Sequence, residues 1–401
     1  MALDRRLTFS RPAAVALVTF ATFVDILAYS IAVPVLPHLS QQFGASPTTI
    51  GLLFGSFGIT VLVVSVPMGS VSDRTGRRLP LVGGLIALAG SSVLFALSPS
   101  MSWLFAARLV QGAADAVTWV VGFALVADLY EPRARGRVMG LVMSGSTFGF
   151  MAGPTLGGWL YEQGGARLPY LAVAALALVA AAGLAAIRLP RGSGMHEAVP
   201  LRAILRVRAV AICAIAVASG GGTIAMIEPV LSLFLASDIG LGPARVGLVF
   251  GGGAVVAAVL HPVFGRIADR SGGRRLTLWG LAAIGAVLPL SLRIVSFESA
   301  VAIYAVAAIA IAIFITPSLT YMAEAASMAG SDSFGVAYGL YNFAWSLGLL
   351  LGPALGGALY ERMTFAQLCI VWAVGLLVIT AGLMRAASIR RAMGVEPALR
   401  T

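Results

Sequence analysis

The sequence predicts an all-α membrane protein whose twelve transmembrane helices form two six-helix pseudo-repeats. The first observation is composition: hydrophobic residues make up 59% of the 401 residues and charged residues only 11%. Soluble domains usually carry about 25% charged residues. The mean hydropathy of +0.95 agrees. So little polar surface cannot cover a soluble particle, and we therefore expect the chain to lie in lipid.

The second observation is an internal repeat. Three motifs occur twice, in the same order, and the two copies are about 196 residues apart. The pairs are Pro34–Gly55 with Pro229–Gly251, Gly69–Arg78 with Gly265–Arg275, and Gly153–Glu162 with Gly352–Glu361. Self-similarity at one spacing indicates a duplicated structural unit. Each copy lies beside long apolar runs, so the unit is predicted to be a bundle of membrane helices.

Apolar stretches of about 20 residues, the length that crosses a bilayer core, place the individual helices. They fall at residues 13–36, 48–71, 80–98, 102–127, 137–160, 169–187, 208–236, 244–267, 276–294, 299–323, 334–359 and 364–385. Six spans fall in each copy of the repeat. The predicted domains are an N-terminal half at 1–187, a cytoplasmic linker at 188–207, a C-terminal half at 208–386 and a cytoplasmic tail at 387–401.

The basic residues are all arginine, and most lie on one predicted side of the membrane. They cluster near residues 5–11, 74–78, 133–137, 188–208, 266–275 and 385–400. Cytoplasmic loops carry the excess of positive charge in membrane proteins. We therefore expect both termini to be cytoplasmic in a cell (inner) membrane protein. This placement explains the net charge of +11 without a nucleic-acid partner.

Away from the helix ends, four charged residues fall inside predicted helices, namely Asp25, Arg108, Asp115 and Glu228. Such a residue costs about 2.5 to 3.5 kcal/mol on insertion scales, so it usually faces an internal cavity and has a function. Alternatives stay open: Asp25 can simply bond a neighbouring helix, and Arg108 can be a structural tie. Arg108 and Asp115 are seven apart and share one helix face, too far apart for direct pairing.

The motifs resemble those of a known family. Gly69-(x)3-Asp73-Arg-(x)-Gly76-Arg-Arg, between the second and third helices, is similar to the signature loop of the major facilitator superfamily. Arg108-Leu-Val-Gln-Gly112 and the glycine series from Gly145 to Gly158 resemble the motifs of its drug:proton antiporters. The resemblance covers essentially the whole chain and implies transport by alternating access.

Within that group the chain resembles the vesicular amine transporters and their bacterial relatives. The likeness rests on Asp25 with Val33-Pro-Val-Leu-Pro37, on Glu228-Pro229, on the stretch from Arg108 to Glu162, and on Tyr338-Gly-Leu-Tyr-Asn342. Three positions depart from that pattern. This chain has Phe57 where those transporters place a lysine, and Ala312 and Asn342 where they place aspartates. Their full proton-coupling network is therefore not carried over.

Candidate residues fall into two groups. Those expected to bind substrate or protons are Asp25, Glu228, Asp115, Arg108, Asn342, Tyr341 and Trp345. Those expected to act in gating are Asp73, Arg74, Arg77, Asp269, Arg270, Gly149, Gly153 and Pro154. The loop acids can hold one conformation through nearby arginines, and glycines four residues apart let helices approach closely. Phe23, Tyr29 and Trp119 are further candidates for an aromatic lining, which packing alone also explains.

The predicted function is proton-coupled export of a small organic cation or amphipathic amine. The alternative is a facilitator or symporter of a neutral or anionic metabolite, with Arg108 as the substrate clamp; a lipid-handling relative also stays open. Enzyme motifs and a soluble domain are missing from the sequence, so we expect no enzyme, cofactor or metal site, and a monomer in contact with membrane lipids. His261 is expected to pack at a gate or relay protons, and Asp128, Glu324 and Asp332 to be solvated helix ends.

Overall fold

A computed structural model describes residues 11–187, 207–328 and 334–392. Within these ranges the chain forms twelve α helices, and a short 3-10 helix, Leu288–Arg293, follows the ninth. The helices are α1 Arg11–Gln42, α2 Pro47–Thr75, α3 Arg78–Ala96, α4 Met101–Leu129, α5 Pro132–Gly164, α6 Arg167–Ala186, α7 Arg208–Ser237, α8 Pro243–Ser271, α9 Gly273–Val287, α10 Phe297–Ser327, α11 Phe334–Tyr360 and α12 Phe365–Ala392.

The two sets of six helices repeat one packing scheme. In the first half α1 packs on α5, α2 on α4 and α3 on α6; in the second, α7 packs on α11, α8 on α10 and α9 on α12. One apolar core fills the N-terminal half, and two smaller cores fill the C-terminal half. The duplication predicted from the motifs is therefore a duplication of structure.

Eleven of the helices in the described ranges are long and apolar enough to cross a membrane. The helix that does not reach this hydropathy is α5, which is rich in glycine. Its sequence begins at Pro132 and includes Arg133, Arg135 and Arg137. It nevertheless packs along α1 and α8 inside the bundle. Its span was predicted, like the others, as an apolar stretch of about 20 residues, and the fold has the predicted twelve-helix architecture.

Several helix ends differ from the predicted ones. The ninth span was expected to stay helical to 294, but α9 stops at Val287 and a 3-10 turn follows. Pro289 explains the change, because proline lacks an amide donor and its ring clashes with the preceding turn of an α helix. At α1 the helix continues past Pro34 and Pro37 to Gln42. The last helix runs to Ala392, so residues 387–392, expected in the tail, are helical.

The halves contact each other mainly at one end of the bundle. We call it the hairpin end; it contains residues 43–46, 97–100, 165–166, 238–242, 294–296 and 361–364. The other end, beside residues 76–77, 130–131 and 272, is the linker end. Two crossed helix pairs join the halves, α2 with α11 and α5 with α8. A Cβ on Gly51 would lie 3.1 Å from Gly357 Cα, and one on Gly158 would lie 2.9 Å from Ala244 Cα. The hairpin end is therefore tightly closed.

Candidate functional site

A cluster of buried charged side chains lies where the N-terminal half meets α7. Asp25 on α1 is 1% exposed, Arg108 on α4 0%, Asp115 on α4 7% and Glu228 on α7 4%. The helical period places Arg108 and Asp115, seven residues apart, on one face of α4. Sequence analysis selected all four residues. The structure adds their partners, which are different for each.

A hydrogen bond between the two halves holds Glu228. The Tyr29 hydroxyl on α1 donates to Glu228 Oε2 over 2.6 Å. Tyr29 lies one turn after Asp25 on the same face of α1. Sequence analysis proposed Tyr29 only as an aromatic lining residue, because nothing in the sequence shows that α1 and α7 meet at this level.

Aromatic rings surround the Arg108 guanidinium. Its Cζ lies 5.0 Å from the ring centroids of Tyr29 and Phe54 and 4.8 Å from that of Phe57. These separations fall within the range of cation–π contact. Nη1 donates to Gln111 Oε1 over 2.7 Å, while Nε and Nη2 have no hydrogen-bond partner among the described residues. Phe57, at the position where the amine transporters place a lysine, thus forms part of the arginine's enclosure.

Asp25 on α1 and Asp115 on α4 are both buried, and their helices pack against each other. Trp119 lies one turn after Asp115 on the same face of α4. The second oxygen of Asp25, Oδ2, has no partner in the described part of the chain. Sequence analysis did not connect Asp25 with Asp115, because the two residues are far apart along the chain and only the packing of α4 against α1 relates them.

The aromatic candidates on α11 lie in the C-terminal half. Tyr341 belongs to the apolar core of that half, accepts a hydrogen bond from Ser318 over 3.2 Å, and stacks on Trp345 with 6.0 Å between ring centroids. Trp345 packs over Gly221 of α7. Asn342 is half-buried, and its carbonyl accepts the Ser346 hydroxyl. These contacts hold α11 against α7 and α10.

The signature loop centres on Arg77 at the linker end. Arg77 Nε donates to Asp128 Oδ2 over 2.7 Å, and Nη1 lies 2.5 Å from Asp73 Oδ1. Burial by itself lowers the pKa of Arg77, but the hydrogen bond and charge of Asp128 and the charge of Asp73 outweigh it and hold the pKa above its ordinary value. Asp128, expected to be a solvated helix end, is instead a buried partner of this arginine. Arg74 is exposed.

The second copy of the loop is built differently. Asp269 and Arg270 are both exposed at the end of α8. Glu324, expected to be solvated, accepts the Gly273 amide over 3.1 Å and so caps the start of α9. His261 contacts the Thr316 hydroxyl at 2.9 Å. Asp332 lies outside the described residues. At the repeat offset, Gly273 stands where the first copy has Arg77, so the described part of the second loop has no arginine at that position.

The glycines of α5 lie against α1. A Cβ on Gly149 would come within 2.6 Å of Phe23 O, and one on Gly157 within 3.0 Å of Ile31 Cα. Gly153 is in the same close contact, with Ser30. Pro154 is the next residue of α5 toward the hairpin end, and its main-chain carbonyl oxygen lies against Gly247 of α8. The close helix approach expected from the glycine spacing is present.

Two glutamates at the hairpin end each bond the opposite half. Glu162, at the end of α5, accepts the Ala244 amide of α8 over 3.0 Å. Glu361, just after α11, accepts the Thr48 amide over 3.1 Å and the Ser46 hydroxyl over 3.0 Å at the start of α2. Helix N-termini have unsatisfied amides that favour negative charge. We call this pair of carboxylates the outer latch; sequence analysis saw its repeat but gave it no role.

Hydrogen bonds from Thr48 and Ser46 hold the pKa of Glu361 below its ordinary value. The tyrosine before each latch glutamate bonds its own half. Tyr161 accepts from Gln42 over 3.0 Å, and Tyr360 donates to Asp238 over 3.2 Å. The Tyr-Glu dipeptide that ends each repeated motif thus fixes a helix of its own half and one of the other.

A bundle of two repeated halves with buried charges between them is the arrangement typical of a membrane transporter. The profile of the Major Facilitator Superfamily matches residues 18–222 and 211–393. The chain belongs to this superfamily. It is therefore a secondary transporter and not an enzyme.

Several named transporters are similar to this chain in sequence or in structure. The human chromaffin granule amine transporter is 26% identical over 333 residues, which cover 82% of this chain and 63% of that one. This chain thus spans less than two thirds of that relative. Multidrug resistance protein 1 of Bacillus subtilis is 26% identical, and the match covers 84% of this chain and 87% of that protein. The crystal structure of a bacterial homolog to the human lysosomal transporter Spinster, in an inward-facing and occupied conformation, superposes with a TM-score of 0.81 at 16% identity. The superposition covers 94% of this chain and 98% of that one.

Proposed function

We propose that this transporter exports small organic cations, including amphipathic amines or drugs, in exchange for protons. The observation that carries the proposal is a set of three buried carboxyl groups: Asp25 and Asp115 lie in the N-terminal half, and Glu228 of the C-terminal half bonds Tyr29, one turn after Asp25. Arg108 is the only arginine beside them in the described ranges. A site with more acids than bases attracts cations, and acids can also carry the protons that drive exchange.

Competition between proton and cation supplies the coupling. An ionised carboxylate in a site shielded from water attracts a cation strongly, whereas its protonated form does not. Glu228 belongs to one half and Asp25 to the other, so a cation between them contacts both moving bodies. When the site faces a more acidic compartment, protons replace the cation. The names of the relatives, an amine transporter and a multidrug resistance protein, agree with a cationic or amphipathic substrate.

The orientation follows from the arginines. The linker end carries the signature loops with Arg74, Arg77 and Arg270, so we place it in the cytoplasm with both termini. The closed hairpin end then faces outward. Single cysteines at Ser193 and Ser46 test this in a background lacking the chain's two buried cysteines. Impermeant thiol reagents should label only Ser46→Cys in intact cells; labelling of Ser193→Cys reverses the orientation.

The pH dependence of binding tests the function. Tetraphenylphosphonium keeps its charge at every pH, so any change in its affinity reports the protein. We expect tighter binding as pH rises, by up to about tenfold per pH unit for each proton displaced. Glu228→Gln should weaken binding and flatten this slope, and Asp25→Asn should abolish proton-driven export from vesicles. A pH-independent affinity in the unchanged protein contradicts proton-coupled exchange.

One observation favours the alternative function. Arg108 Nε and Nη2 have no hydrogen-bond partner among the described residues, so the guanidinium can still clamp an anionic metabolite. The aromatic enclosure and the nearby acids oppose this, because they repel an approaching anion. Under this alternative Asp25→Asn leaves substrate binding intact, whereas Arg108→Gln abolishes it. A thermal-shift comparison of amines, sugars and organic acids on both variants separates the two functions.

A further inference from the structure

We infer that Tyr29 is a stand-in ligand for the cargo. Its hydroxyl occupies Glu228 while the site is empty, joins the two halves there, and is displaced when a cation binds. This inference rests on the proposed function, in which Glu228 binds the cation from the C-terminal half. It adds a residue that selects the cargo and links its binding to the opening of the hairpin end.

The bond between Tyr29 and Glu228 has the geometry of a strong hydrogen bond. The hydroxyl donates to Glu228 Oε2 over 2.6 Å, and the two residues are buried, at 7% and 4% exposure. Hydroxyl donors reach such short distances when the acceptor is an ionised carboxylate. The polar hydrogen of the tyrosine therefore lies where a cation would approach this oxygen. A cation that binds Glu228 has to compete with it.

The N-terminal half holds the ring of Tyr29 in place. The ring centroid lies 5.0 Å from that of Phe57 on α2 and 6.2 Å from that of Phe150 on α5. The Arg108 guanidinium of α4 lies over the same ring, 5.0 Å from its centroid. Three helices of one half thus position a hydroxyl that bonds Glu228 in the other half. When the halves separate at this level, the bond has to break.

The bond lies on the closed side of the bundle. Tyr29 and Glu228 are each nearer the hairpin end of their helix than the linker end. The outer latch joins the halves on the same side, at the hairpin end itself. The bond from Tyr29 is therefore a second, inner contact that opening of this end must break. A cation that displaces the hydroxyl removes this contact, so its binding favours opening of the hairpin end.

The competition also defines the cargo that this site accepts. A ligand that replaces the hydroxyl must interact with Glu228 more strongly than a neutral donor does, and a full positive charge supplies that interaction. The ring of Tyr29 stays beside the carboxylate and offers its face to the same cation. The site therefore favours organic cations over neutral molecules of the same shape.

The substitution Tyr29→Phe tests the competition, because it keeps the ring and removes the hydroxyl. Tetraphenylphosphonium should bind the variant about tenfold more tightly, since a hydrogen bond to a charged group no longer has to be broken. Titration calorimetry of the full chain measures the affinity. Tyr170→Phe is the matched control and should leave it unchanged. Tyr170 is another buried tyrosine of the N-terminal half, stacked on Phe95, and its hydroxyl has no hydrogen-bond partner among the described residues.

The distance between the halves at the hairpin end tests the inner contact. Spin labels at Gln41 and Gln367, exposed residues of opposite halves, report this distance by double electron–electron resonance. Without cargo, Tyr29→Phe should populate a longer distance than the unchanged protein does, and Tyr170→Phe should not. Adding tetraphenylphosphonium to the unchanged protein should produce the same shift, and this measurement needs no substitution in the site.

The outcomes separate the stand-in role from the proposed function. If the cation binds the unchanged protein but binds Tyr29→Phe more weakly, the hydroxyl is a ligand of the cargo and the stand-in role is wrong. If neither affinity nor distance changes in Tyr29→Phe, the bond is a packing contact, and the stand-in role is again wrong while the proposed function stands. If the unchanged protein binds no cation, the proposed function fails and the stand-in role fails with it. The distances without cargo then still show whether the bond closes the hairpin end.

Discussion

A single aspartate, Asp128, shows how a helix-end carboxylate becomes part of a gate. Position alone suggested a solvated residue, but its side chain is 6% exposed and pairs with Arg77, whose own side chain is 8% exposed. Asp73, the acid of the signature motif, is 50% exposed. The buried partner therefore contributes more to holding α2, α3 and α4 together at the linker end.

We expect Asp128→Asn to lower the free energy of unfolding by about 3 kcal/mol, because it leaves a buried guanidinium without its charged partner. Asp73→Asn is the matched control and should cost less than about 1 kcal/mol, as exposed ion pairs do. Denaturant unfolding of the purified protein measures both. Asp73→Asn should still slow transport, with cation affinity within a few fold. Equal destabilisation by the two variants would contradict this ranking.

At the scale of the helix, α5 shows why low hydropathy does not exclude a membrane helix. Its glycines face α1 on one side and α8 on the other, so protein covers much of its backbone. In a bilayer, close backbone approach and van der Waals packing hold helices together. The same surface carries contacts within a half and between halves, so its packing bears on both stability and motion.

The glycines of α5 offer a matched pair of substitutions. At Gly149 a Cβ would lie 2.6 Å from Phe23 O, whereas at Gly140 nothing lies within 4 Å. We expect Gly149→Ala to destabilise the protein by about 1 to 3 kcal/mol through overpacking. Gly140→Ala should be neutral or stabilise by up to about 1 kcal/mol, because glycine weakens a helix. Thermal unfolding in detergent measures the difference, and similar melting temperatures for the two variants would mean that α1 and α5 pack loosely.

Across the whole molecule, the outer latch couples the two halves. Each half contributes one carboxylate, Glu162 or Glu361, and each carboxylate bonds the first turn of a helix in the other half. Opening the hairpin end must break both contacts. The pKa of Glu361 is lowered. The stability that this carboxylate gives to the closed hairpin end is therefore present above the ordinary pKa of a free glutamate and is lost as pH falls through the lowered value. Strong acid at the hairpin end therefore favours opening there.

Removing the latch should shift the population toward an open hairpin end. Spin labels at Gln41 and Gln367, exposed residues of opposite halves at this end, report the separation by double electron–electron resonance. The double variant Glu162→Ala, Glu361→Ala should add a longer distance, because two inter-half contacts are gone. Strong acid should add the same longer distance in the protein whose latch is unchanged. Glu298→Ala at the same end is the control. An unchanged distance distribution in the double variant would show that helix packing alone closes this end.

The sequence by itself determined the twelve helices, the two halves, the family and the four buried charges. Apolar length, repeat spacing and the cost of burying charge are all local properties that a chain displays directly. These local properties did not predict the exact end of α9, which stops at Val287, just before the turn that contains Pro289.

Only the tertiary structure decided which charges meet. Helical periodicity places Asp115 on the same face as Arg108, but it does not say that α4 packs against α1, the helix that carries Asp25. The bond from Tyr29 to Glu228, and the two latch contacts, join helices from different halves. Such partners depend on how helices are rotated and stacked against one another. That arrangement is set by the packing of many side chains at once, and no single motif records it.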